Sequence, residues 1–160
     1  MRARRRTLEQ IMPFATVGEL IARKRQPLVT TAPSATARAA LSEMEEKDIG
    51  FLPVLEGEKL VGVVSERDIA RGVMLHRRML VREIMTTRVH TVAPETKVPE
   101  CVVLMHRERI RHLPVLSGRA VLGVLSVRDL TGSLIERHER LLRRLHDERV
   151  TLLFPYPSSY

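Results

Sequence analysis

Two copies of one short pattern hold the side chains best suited to chemistry in this chain. Ser65-Glu66-Arg67-Asp68 and Ser126-Val127-Arg128-Asp129 each set a hydroxyl, a guanidinium and a carboxylate within four positions. Each follows an apolar run, Gly62-Val63-Val64 or Gly123-Val124-Leu125, so each is expected where a strand hands over to a helix. A helix start carries backbone N–H groups without intrahelical partners and the positive end of the helix dipole, which together favour an anion. Arg67 and Arg128 add a planar fork that suits phosphate. Asp68 and Asp129 cannot ligate phosphate, but a carboxylate there is placed to accept hydrogen bonds from the hydroxyl groups of a sugar. Ser-x-x-Asp at a helix start is also a capping box, with both side chains serving the helix.

The pattern belongs to a longer duplication. Pro33 and Pro94, Pro53 and Pro114, Gly57 and Gly118, Gly62 and Gly123, Ser65 and Ser126, and Asp68 and Asp129 are each 61 positions apart. An internal repeat of this length governs every later reading of the fold. Upstream, Val17-Gly18-Glu19-Leu20-Ile21 matches Val81-Arg82-Glu83-Ile84-Met85 at an offset of 64, so the first copy holds three extra residues in the basic stretch 22–27. Short β-prone runs, Leu28–Thr31 and Val89–Val92, come next. Ala37, Ala40, Leu41 and Met44 then make one apolar stripe at helical spacing, and Val98, Cys101, Val102 and Met105 make its counterpart. Phe51–Leu55 and Lys59–Val64 flank Gly57 as a hairpin; His112–Leu116 and Ala120–Leu125 flank Gly118. A last helix starts at Ser65 or Ser126. Each copy therefore reads β-α-β-β-α, which makes the fold class α/β.

At 160 residues and 44% apolar content, the chain can bury a core, and with 3% aromatics and no Trp that core is aliphatic. Few aromatics also leave few stacking platforms for single-stranded nucleic acid. The formal charge is +8, and residues 1–26, with seven Lys/Arg against two Asp/Glu, carry +5 of it. The excess is thus a property of the tail and not of a broad nucleic-acid face. A single cysteine, Cys101, excludes an internal disulfide and a thiolate metal site. It falls on the apolar helical stripe, where a packed thiol is expected, not a nucleophile. The six histidines lack metal-ligand spacing, and no P-loop or dinucleotide fingerprint is present. The basic start Met1–Arg6 is not followed by an apolar run, and no segment reaches the roughly 18 apolar residues of a membrane helix, so a cytoplasmic protein is expected.

The doubled Leu-Pro-Val strand (Leu52-Pro53-Val54, Leu113-Pro114-Val115) followed by Gly-x-x-Ser-x-Arg-Asp resembles the tandem CBS-domain module, of the cystathionine-β-synthase type, over residues 17–132. The resemblance implies two β-α-β-β-α repeats packed about a pseudo-two-fold axis, paired further into a homodimer. It implies no catalysis and no catalytic cofactor. Clefts between the repeats would hold an adenine nucleotide (AMP, ADP, ATP or NAD, with AMP or NAD first), and a partner would read the bound state. Asp68 and Asp129 would take the ribose, and Leu52 with Pro53, or Leu113 with Pro114, would offer a floor for the base. The run Arg109-Ile110-Arg111-His112-Leu113-Pro114-Val115 looks particularly like the nucleotide-binding type.

The copies differ at this point. Arg111 and His112 stand in the second where Gly50 and Phe51 stand in the first. With Arg128, they give the second site three candidate phosphate partners, against Arg67 alone in the first. Tighter binding is expected at Ser126 and Asp129, with Phe51 free to stack an adenine in the first site. The expected divisions are a basic arm (1–16), repeat one (17–78), repeat two (79–132), and a C-terminal helix and tail (133–160). That helix would open with a Ser133–Glu136 capping pair and carry Leu134, Ile135, Leu141, Leu142 and Leu145 on one side. The reading is a regulatory nucleotide sensor. A basic, dimeric, nucleic-acid-associated protein using the Arg2–Arg6 arm is the alternative.

Overall fold

The computed structural model describes residues 16–24, 26–73, 78–132, and 135, 139 and 143. The basic arm before Thr16, the Ser133–Glu136 pair, most of the expected C-terminal helix and the final tail lie outside the described residues.

The first repeat holds α1 (Val17–Ala22), α2 (Ala37–Glu46), β1 (Phe51–Glu56), β2 (Lys59–Ser65) and α3 (Glu66–Val73). The second holds α4 (Val81–Ile84), α5 (Val98–Glu108), β3 (His112–Ser117) and β4 (Ala120–Ser126), with residues 127–132 helical after it. Polar side chains set the helix starts. Thr16 Oγ1 accepts from the Glu19 N–H, and Thr36 Oγ1 from the Ala39 N–H at 3.1 Å. Pro99 sits in the first turn of α5, where a missing N–H costs no helical bond. The ends match as well: Asp48 and Arg109, again 61 apart, take φ of 51° and 54° just past α2 and α5.

Each repeat is built on an antiparallel hairpin. Phe51 pairs with Ser65 and His112 with Ser126, and each hairpin has one irregularity, after Val54 or Val115. Gly57 and Gly118 turn the chain at φ of 61° and 60°, a region that favours glycine. The β-prone runs upstream are shorter than the sequence suggests. Each is reduced to one parallel bridge, Thr31 to Val54 and Val92 to Val115. Pro33 and Pro94 follow two residues later, and a proline cannot donate to a further rung.

Two aliphatic cores form, and they do not follow the division at residue 78. Ala37, Ala40 and Met44 of α2 pack with Leu52, Val54, Val64 and Ile69, but this core also takes Val81 of α4, with Met79, Ile84 and Met85 against it. Val98, Cys101 and Met105 of α5 pack with Leu113, Val115 and Leu125, and this core takes Val17 and Leu20 of α1. Each repeat thus buries the opening helix of the other. Reciprocal backbone bonds fix the exchange: Gly18 N–H to Pro94 O at 2.8 Å, and Arg82 N–H to Pro33 O at 3.0 Å. Linear periodicity cannot show this, since an apolar stripe records burial but not the partner.

Candidate functional site

A cleft of about 1150 Å³ runs between the repeats. Its walls include Phe51, Ser65, Arg67, Asp68, Arg111, His112, Pro114, Ser126, Arg128 and Asp129, so ten of the thirteen residues singled out in the sequence meet there. Leu52, Pro53 and Leu113 do not line it. All three are fully buried, and the leucines belong to the two cores, so the expected base floor of Leu-Pro pairs is cut down to Pro114. Three consecutive residues, 52–54 in β1 and 113–115 in β3, are buried in the same pattern, so both faces of each strand are covered there.

At the strand-to-helix junctions the Ser and Asp side chains close on each other. Asp68 Oδ2 accepts from Ser65 N–H at 2.9 Å and from Ser65 Oγ at 2.6 Å, while Ser65 Oγ accepts from Asp68 N–H at 3.4 Å. Asp129 and Ser126 repeat this at 2.7, 2.7 and 3.2 Å. These are complete capping boxes. The N–H groups expected to be open to an anion are largely taken up: the next donors, Glu66 N–H and Val127 N–H, bond to Gly50 O and Arg111 O. What each junction offers a ligand is therefore the arginine side chain and the outer carboxylate oxygen. Arg128 is 84% exposed, with Asp48 Oδ2 as a loose partner at 3.9 Å. A charge so held is available to a phosphate.

The ring of Phe51 stacks on His112, with centroids 4.6 Å apart. Phe51 thus meets the second repeat through its ring while it also lines the cleft. Burial first, and then the Arg111 guanidinium, pull the His112 pKa down to about 4. At neutral pH its imidazole is uncharged, so toward phosphate it would act as a hydrogen-bond donor and not as a cation.

A further cleft residue, Lys24, lies outside the repeated motif. Lys24 Nζ lies 2.7 Å from Asp129 Oδ2 and donates to Val124 O at 2.7 Å. Its sequence signal is the break in offset from 64 to 61, since Lys24 falls in the stretch 22–27 that holds the three extra residues of the first copy. In the first repeat the corresponding strand position, Val63, makes two backbone bonds with Thr86 instead.

Among the described residues no cluster of three or more His, Cys, Asp or Glu could hold a metal ion. No helix among them is long and apolar enough to cross a membrane.

A protein from Arabidopsis thaliana, the mitochondrial CBS domain-containing protein CBSX3, is 33% identical over 120 residues, covering 69% of this chain and 58% of its own length. The chain thus spans less than two thirds of that relative. A solved structure of a protein with CBS domains from Burkholderia ambifaria MC40-6 superposes with a TM-score of 0.71 at 38% identity, over 76% of this chain and 94% of that one. The CBS domain pair of protein MJ0100, solved with 5'-methylthioadenosine and S-adenosyl-L-methionine, superposes with a TM-score of 0.63 at 26% identity, over 67% and 91%. The family described as CBS domain matches twice, at residues 17–75 and 81–136, the same two repeats that the hairpins and the capped Ser-Asp junctions define, and the chain belongs to that family.

Proposed function

We propose that the chain is a regulatory module that binds an adenine nucleotide in the cleft between its repeats and passes the bound state to a partner. CBS pairs are regulatory modules, and the one from MJ0100 was solved with two adenosine-containing ligands. The observation that carries the reading is that both Ser-Arg-Asp junctions open onto one cleft spanning the two repeats. The outer oxygens of Asp68 and Asp129 would accept ribose hydroxyls. Arg111 and Arg128 would hold the phosphates in the second site, and Arg67 in the first. A nucleotide touching both repeats stabilises one arrangement of them over others, which is the physical content of sensing. Because the repeats exchange their opening helices, a shift at the cleft reaches both cores. The working unit is proposed to be a homodimer in the cytoplasm, without catalytic activity.

The test is a thermal-shift series with AMP, ADP, ATP, NAD and GMP as the non-adenine control, repeated on Arg128→Ala. A ligand at 100 times its Kd adds roughly 2.7 kcal/mol to the native state. Adenine-specific shifts that shrink in the variant support the reading. Equal shifts with GMP, or none with any ligand, overturn it.

A further inference from the structure

We infer that Lys24 gates the carboxylate of the second site, so that phosphorylated nucleosides are admitted there in preference to neutral ones. This rests on the adenine-nucleotide reading above and adds to it a residue that stands outside the repeated motif.

The two sites are the same in their capping boxes and differ in what else reaches the aspartate. Asp68 Oδ2 accepts the two Ser65 donors. Asp129 Oδ2 accepts the two Ser126 donors and has the Lys24 ammonium at 2.7 Å as a third. Among the described residues, Asp68 has no ion pair. The Lys24–Asp129 pair is also partly withdrawn from water, at 26% and 18% side-chain exposure, so separating it without a substitute partner is unfavourable. A ribose diol therefore meets a carboxylate whose inner oxygen carries three donors and whose charge is already matched, so its outer oxygen is a weaker acceptor than that of Asp68.

A phosphate changes this balance. It brings its own negative charge into a wall that holds Arg109, Arg111 and Arg128. Lys24 has three donors on a flexible four-carbon stem. It can keep its bond to Val124 O and turn its remaining donors from Asp129 to the phosphate. The ammonium then keeps a counter-charge, and the outer oxygen of Asp129 regains its full strength as an acceptor for the ribose. Neutral adenosine, or a thioether nucleoside, offers no such exchange. Lys24 lies in the stretch 22–27, where the two repeats differ in length. Where the first repeat closes β2 with backbone bonds from Thr86, the second presents a side-chain ammonium to β4.

Calorimetric titration of adenosine and of ATP tests this on the full chain carrying Asp68→Ala, which removes the carboxylate of the first site. Lys24→Met and Lys24→Gln are compared with the Lys24 parent, and unliganded Tm values establish that each variant folds. Lys24→Gln keeps a donor for Val124 O should Lys24→Met fail to fold. The expected result is about tenfold tighter adenosine and about tenfold weaker ATP in both, with Lys24→Arg retaining the parent's preference. Binding of both ligands with an unchanged ATP-to-adenosine ratio overturns the gate and leaves the nucleotide reading intact. Failure of parent and variants alike to bind either ligand overturns the nucleotide reading and the gate with it.

Discussion

Phe51 and His112 occupy the same position in the two repeats, and their rings lie on each other with planes 15° apart. Residues 61 apart in sequence thus become neighbours at the axis that relates the repeats. The contact couples the two halves of the cleft through one aromatic face. It also sets the chemistry of His112, because the covering ring withdraws the imidazole from water.

That burial predicts an acid-sensitive fold. The His112 pKa is about 4 in the folded chain against 6.5 when unperturbed. The sign follows from proton uptake: between these values the unfolded chain binds a proton that the folded chain refuses. The contribution of neutral His112 is therefore present above pH 6.5 and is lost as pH falls toward 4. Carboxylates also titrate in this window, so the informative quantity is a difference. The Tm of the parent minus that of His112→Gln should drop as pH is lowered from 7 to 4. A difference that stays constant with pH excludes this account.

The capping boxes have a cost that is separable from ligand binding. Ser65→Ala and Ser126→Ala each remove the oxygen that accepts from the Asp N–H and the hydroxyl that donates to Asp Oδ2. Loss of such a cap costs about 1 kcal/mol. Urea unfolding should show that loss in both variants without any nucleotide. Ser126→Ala should cost somewhat less, because Lys24 still braces Asp129. No loss in either variant would mean that the helix starts do not depend on the boxes.

Much of this architecture can be read from the spacing of a few residues. The prolines, glycines and Ser-Asp pairs at offset 61 give the repeat, its hairpins and its junctions, because turns and caps are local events set by residue type. The fate of α1 and α4 is not local. Val17 and Val81 are apolar under either arrangement, and only three-dimensional packing sends each to the other repeat's core. Site residues divide the same way. Ser65, Asp68, Ser126 and Asp129 line the cleft because a junction has one place to be. Leu52 and Leu113 do not, since adjacency to a motif says nothing of which face a strand residue takes. Lys24 shows in the sequence only as part of the stretch 22–27 where the repeats differ in length, with its partner Asp129 more than 100 positions away.

Cys101 should be chemically silent in the folded chain. It is fully buried on α5, and burial first, then the Glu100 charge, raise its pKa to about 11. Thiolate, the reactive form, is scarce at neutral pH for both reasons. Labelling with a thiol reagent at pH 8 should be slow in native protein and fast in denaturant, with a native rate that follows the unfolding equilibrium. Rapid labelling under native conditions would show that the second core opens locally.

The exchanged helices can be probed at the two glycines beneath them. A Cβ at Gly62 would come 2.8 Å from Met85 Sδ and 3.1 Å from Thr86 O, the second of these being backbone held by the bridge to Val63. A Cβ at Gly123 would meet Ile21 Cγ2 at 3.0 Å and Cδ1 at 3.4 Å, both parts of a side chain. A side chain can shift by a few tenths of an ångström, whereas the Thr86 carbonyl moves only by disturbing two backbone bonds. Gly62→Ala should therefore destabilise by about 2 kcal/mol, within the usual cost of overpacking. Gly123→Ala should cost about 1 kcal/mol or less, since the reduced freedom of the unfolded chain offsets part of the strain. Chemical denaturation of the two variants gives the comparison. The reverse order would mean that α1 is held against β4 more rigidly than α4 is held against β2, and that Lys24, with its bond to Val124 O, fixes the α1 end more firmly than the backbone bridge at Thr86 fixes its counterpart.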